Sequence, residues 1–154
     1  MLSRLFPPQA DNRFDGHRAA LWLLGLFVAL RLVMGLNSIF NTASVAAGAD
    51  GIPLETFGPA AAQTILTLFA LTALGQLMLA LVALGALVRY RALVPLIYLL
   101  LIGDHLVRRA VIALHDVARD DGSVVGWYIF AGLLALLSVG LILSLLPRRS
   151  GNHA

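Results

Sequence analysis

Four long apolar runs, separated by short polar stretches, organise this 154-residue chain. The first is Ala19–Phe40, interrupted by Arg31 and Asn37. The second is Ala60–Val88, the third Ala92–Leu114 and the fourth Val124–Leu146. Each is long enough to cross a bilayer, since roughly 20 helical residues at ~1.5 Å rise span the hydrocarbon core. In lipid every backbone N–H and C=O must be satisfied within the segment, so each span is predicted to be helical. Short connections between long apolar helices predict an all-α, up-down bundle of four transmembrane helices.

The polar stretches complete the plan. Residues 1–18 form a mixed tail with Pro7 and Pro8, residues 19–147 the transmembrane domain, and residues 148–154 a second short tail. Residues 41–59 carry two acids, no base, and the breakers Pro53 and Pro59. The Gly-Ile-Pro and Phe-Gly-Pro units there are turn chemistry. They fit an ordinary connecting loop or a short interfacial segment capping the bundle mouth. The triplet Arg89-Tyr90-Arg91 is a tight turn, and residues 115–123 a polar loop. The first run is too long for the apolar core of a signal peptide, and Arg31 would lie inside it.

Composition agrees with this pattern. The chain is 60% hydrophobic and only 12% charged, where soluble domains average about a quarter charged. Mean hydropathy is +0.89. Every basic residue is Arg, and Ala, Leu and Gly are abundant, a usage that fits a GC-rich bacterial genome. Cysteine is absent, which excludes disulfides, thiolate nucleophiles and thiolate metal sites. Net charge is +3, but no basic patch is interleaved with aromatics, so nucleic acid is not an expected partner.

Charge also orients the chain. Arg4, Arg13, Arg18, Arg89, Arg91, Arg148 and Arg149 fall on one side of a four-span topology. The positive-inside rule makes that side cytoplasmic, with both termini there, in a multi-pass protein of the bacterial inner membrane. Trp22, Trp127 and Tyr128 suit the interfacial belts.

The unusual feature is the charge inside the third run, LIGDHLVRR. Asp104 lies just past the midplane, at the depth that Arg31 reaches in the first run, so the two are expected to pair. A lone charge at the centre of a span costs about 2.5–3.5 kcal/mol on insertion scales. At about 100° per residue, Asp104, His105, Arg108 and Arg109 share one arc of the helix. Leu99, Leu100, Leu106, Val107 and Leu114 occupy the other half. The charged arc is therefore expected to face the bundle interior. Asn37, Asn41, Gln63, Thr64 and Thr67 would add polarity in the outer half. The candidate site is a polar network or ligand pocket made of Arg31, Asn37, Asp104, His105, Arg108 and Arg109.

Three readings of this network stand. It braces the helices; or it binds an anionic headgroup, a carboxylate or a quinone oxygen, for which Arg is well suited; or Asp104 and His105 carry protons. His105 and His115 are too far apart on the helix to share a metal ion. No triad, metalloprotease, phosphate-loop or paired-carboxylate spacing exists, so catalysis by this chain alone is not expected, and neither a metal nor another cofactor is expected.

The stretch LRLVMGLNSIF, the Pro-containing loop, and ALVALGALVRYRALVPLIYLLL resemble the small four-helix DoxX-like membrane proteins, over about residues 30–115. The resemblance rests on Arg31 and Gly35 in the first helix, a short turn between helices two and three, and Pro95 early in helix three. It implies a four-helix bundle, and for some members a place beside quinone-using membrane oxidoreductases. The Asp104–Arg109 cluster matches no family signature, so no catalytic residue carries over. The expected role is a non-catalytic accessory or binding subunit, with lipid, quinone, a small anion or a membrane protein as partner. The alternative is a quinone-linked oxidoreductase component or a small transporter.

Overall fold

A computed structural model describes residues 5–115 and 124–146, with residues 124 and 125 as backbone only. The terminal arginines 4, 148 and 149, and most of the 115–123 loop including Arg119, lie outside the described residues. All described elements are helical. Helix α1 spans Arg18–Phe40, α2 Thr42–Gly48, α3 Pro59–Arg89, α4 Val94–Leu114 and α5 Val124–Leu145. Three of them are long and apolar enough to cross a membrane: α1, α3, and α5 from Gly126 to Leu145. This points to a membrane protein. Helix α4 is 21 residues long, but every 18-residue stretch of it contains Asp104, Arg108 and Arg109.

Local chemistry sets the helix ends. His17 caps α1 by accepting the Ala19 N–H at Nδ1, 3.2 Å away. At the far end the Asn41 side-chain amide donates to Asn37 Oδ1 at 2.8 Å, and the chain turns directly into α2, which the sequence pattern had merged into a loop. Gly51 then takes φ 64°, a left-handed conformation that glycine adopts without steric cost. A 3-10 turn at Leu54–Thr56 follows. Pro59 opens α3 at a position where the missing N–H costs nothing. A 3-10 turn at Arg91–Leu93 joins α3 to α4.

The core lies between α1, α3, α4 and α5, with Leu24, Phe27, Val28, Ala83, Val94, Tyr98, Leu101 and Leu137 buried in one cluster. Small residues let backbones approach, as helices in lipid require. Ala73, Ala80, Ala83 and Ala86 form the buried face of α3. Opposite it, a Cβ added to Gly35 would come 3.4 Å from Leu77, and one added to Gly25 would come 3.5 Å from Leu87. Tyr98 of α4 donates its hydroxyl to Ala20 O of α1 at 2.6 Å. Its ring lies where a Cβ of Gly140 would be, so α5 can pass only with glycine there. The outward faces are equally apolar: Trp22 is 81% exposed, Phe40 79% and Val33 68%. Such a surface is matched to hydrocarbon rather than to water.

The N-terminal tail does not hang free. Residues 11–17 strap across the turn that precedes α4 and the end of α5. Asp11 O accepts from the Ala92 N–H at 3.2 Å, and the His17 N–H donates to Leu143 O at 3.0 Å. Gly16 is buried so tightly that a Cβ would clash with Ser144 O.

Candidate functional site

Three helices each contribute one polar side chain to a part-buried node. Arg31 of α1 donates through Nη1 to Gln76 Oε1 of α3 at 2.5 Å. Its Nη2 lies 2.8 Å from His105 Nδ1 of α4. His105 is only 6% exposed. For Arg31 to donate, Nδ1 must carry a lone pair, so in this arrangement the ring is neutral with its proton on Nε2.

Aromatic rings enclose the node. The Arg31 guanidinium sits over the Phe27 ring at 5.4 Å, and Phe27 meets His105 edge-on at 6.4 Å. Phe130 of α5 stacks on the imidazole at 5.3 Å with an interplanar angle of 10°. All four long helices thus converge on His105, directly or through Arg31.

The other charges lie around this centre. Arg108 Nε donates to both oxygens of Asp104, at 2.9 and 3.0 Å. Arg109 is exposed and lies over two rings of α5, 5.2 Å from Trp127 and 5.9 Å from Phe130. Arg31, Gln76, Asp104 and His105 line one crevice with Phe27 and Leu101. Its volume is about 10 Å³, the space of a single water.

Several expectations need correction. Arg31 and Asp104 do line the same crevice, but they form no ion pair: Arg31 meets neutral Gln76 and His105, and Asp104 is taken by Arg108 one turn along its own helix. The cause is the rotation of α4. Its buried stripe runs Val94, Ile97, Tyr98, Leu101, His105, so His105, not Asp104, points at α1. Asn37 is not part of the network; it is exposed and bonded to Asn41. Thr64 and Thr67 return their hydroxyls to carbonyls one turn back on α3, at 2.9 Å each, and are exposed. Gln63 is exposed as well. A wide polar pocket in that half of the bundle is therefore not formed by these residues.

Gln76, Phe27, Trp127 and Phe130 were missed as site residues. Signals for them existed. Gln76 is an isolated polar residue deep in an apolar run, Phe27 lies one turn before Arg31, and Trp127 and Phe130 share a face of α5.

Among the described residues no cluster of three metal-binding side chains occurs. Comparison with known proteins gives no matching family, no matching curated relative and no matching solved structure.

Proposed function

We propose that this chain is a multi-pass protein of the bacterial inner membrane, an up-down bundle of four transmembrane helices with cytoplasmic termini. It acts as a non-catalytic accessory or binding subunit. Arg31 is the residue that receives an acceptor oxygen of a lipid-soluble molecule, either an anionic group or a quinone-type carbonyl. The up-down reading is supported by the contacts that pair Gly25 with Leu87 and Gly35 with Leu77, and Tyr98 with Gly140 while His105 stacks on Phe130. Sequence numbers rise on one helix as they fall on its neighbour. The cytoplasmic termini and bacterial origin rest on the distribution and exclusive use of Arg.

One observation carries the binding role. Arg31 is a partly buried cation whose only hydrogen-bond partners among the described residues are two neutral groups. A guanidinium has five N–H donors, so donors remain for a further oxygen. A partly buried cation inside a span whose hydrogen-bond partners are neutral is costly, and a bound acceptor would offset that cost. The resemblance to DoxX-like proteins favours a quinone carbonyl among the candidates.

The volume of the crevice favours a second reading, in which the node braces α1, α3 and α4 and admits only water. Native mass spectrometry of the full chain, purified in mild detergent, separates the two. The binding reading expects a co-purifying molecule with a carbonyl or acidic headgroup that Arg31→Lys releases. The bracing reading expects nothing bound and a change in stability alone.

A further inference from the structure

We propose that Arg109 and Trp127 form a binding site for the phosphodiester of an anionic phospholipid, separate from the Arg31 node and independent of its role. The geometry of the guanidinium is the first argument. Arg109 lies over the Trp127 ring at 5.2 Å and the Phe130 ring at 5.9 Å, and those two rings are themselves stacked at 5.7 Å. A guanidinium attracted to ring faces in this way spends none of its N–H fork on a protein acceptor. The fork is the part that matches phosphate oxygens in a bidentate manner. Two rings fix the side chain in advance, so little rotamer freedom is lost when phosphate arrives.

The second argument is the electrostatic surroundings. The nearest acid on α4, Asp104, is held by both oxygens on Arg108 Nε. Among the described residues Arg109 makes no ion pair or hydrogen bond, and it is exposed.

Position identifies the source of the phosphate as lipid. Arg109 stands five residues before Leu114, the last residue of α4, about 7.5 Å from the helix end. Trp127 lies in the first turn of α5. Trp is characteristically found at headgroup depth, and a long Arg side chain within two turns of its helix end reaches toward that level by snorkelling. Toward the membrane centre the neighbouring surface is apolar and exposed, with Leu106 at 48% and Ile129 at 41%. That surface suits an acyl chain beneath the headgroup and offers nothing to a free phosphate ion.

The test uses the full chain in nanodiscs and mild detergent. Phosphatidylglycerol is titrated against phosphatidylcholine, with retained lipid read by native mass spectrometry and binding by Trp fluorescence. The wild type should retain phosphatidylglycerol preferentially. Arg109→Gln should weaken that retention about fivefold, the effect of one basic residue at the membrane surface. Trp127→Leu, which keeps the charge but removes the stack, should weaken it in the same direction. Millimolar inorganic phosphate should not compete. Equal retention of both lipids, or undiminished retention by both Arg109→Gln and Trp127→Leu, overturns the site. Displacement of the lipid by inorganic phosphate overturns the assignment to lipid.

Discussion

His105 Nδ1 lies 2.8 Å from the Arg31 guanidinium, between residues 74 apart in the chain. This contact ties α1 to α4, and the same guanidinium reaches Gln76 and ties both to α3. In hydrocarbon the apolar effect gives helices no reason to prefer each other over lipid, so packing and hydrogen bonds of this kind specify their partners. The node therefore adds polar specificity to the packing of these helices, whatever else it binds.

Gln76 is the acceptor for Arg31 Nη1. Gln76→Leu removes it and leaves a charged donor in an apolar site, and is expected to destabilise the protein by about 1–2 kcal/mol. Gln76→Glu supplies the missing carboxylate at the same place and should hold or raise stability. Unfolding in mixed detergent micelles, followed by circular dichroism, checks both variants together.

Asn37 gives the contrasting case. It is an intramembrane-run polar residue like Arg31, but it is exposed and bonded only to Asn41. Asn37→Ala should change stability by less than about 0.5 kcal/mol in the same assay. A loss as large as that of Gln76→Leu would mean that Asn37 is coupled to the node after all.

Gly140 is required by the Tyr98 ring, which fills the space of a Cβ. Gly140→Ala should cost about 1–3 kcal/mol through overpacking. Tyr98→Phe should not relieve it, because the ring remains, whereas Tyr98→Leu should recover part of the loss. Melting temperatures of the single and double variants decide this.

Gly16 holds the N-terminal strap against α5, with no room for a side chain beside Ser144 O. Gly16→Ala should release the strap while leaving the helices packed. Limited proteolysis should then cut within residues 5–17 faster than in the wild type, at unchanged helical content.

The helices were legible in the sequence because apolar runs of this length have few other uses. The predicted run Ala19–Phe40 and the observed Arg18–Phe40 differ by one residue. The apolar, outward side of α4 was also legible: Leu100, Leu106, Val107 and Leu114 are all exposed. The partners within the site were not. Depth along a helix follows from counting residues, and it brings Arg31 level with both Asp104 and His105. Choosing between consecutive residues needs the rotation of α4, and charge favoured the wrong one. The rotation is set by Val94, Ile97, Tyr98 and Leu101, whose packing against α1 and α5 depends on where glycines such as Gly140 allow close approach. The aromatic enclosure was hidden for a related reason. Phe27 and Phe130 look like ordinary apolar filler until the helices that carry them are placed beside His105.

Arg31 is hydrogen-bonded to His105 and forms no direct ion pair with Asp104. Two double-mutant cycles test it, with Arg31→Leu combined in turn with His105→Ala and Asp104→Ala, and stability measured for all members under one detergent condition. A coupling energy of about 1–2 kcal/mol is expected for Arg31 with His105, and less than about 0.5 kcal/mol for Arg31 with Asp104. A larger coupling to Asp104 than to His105 would contradict the account.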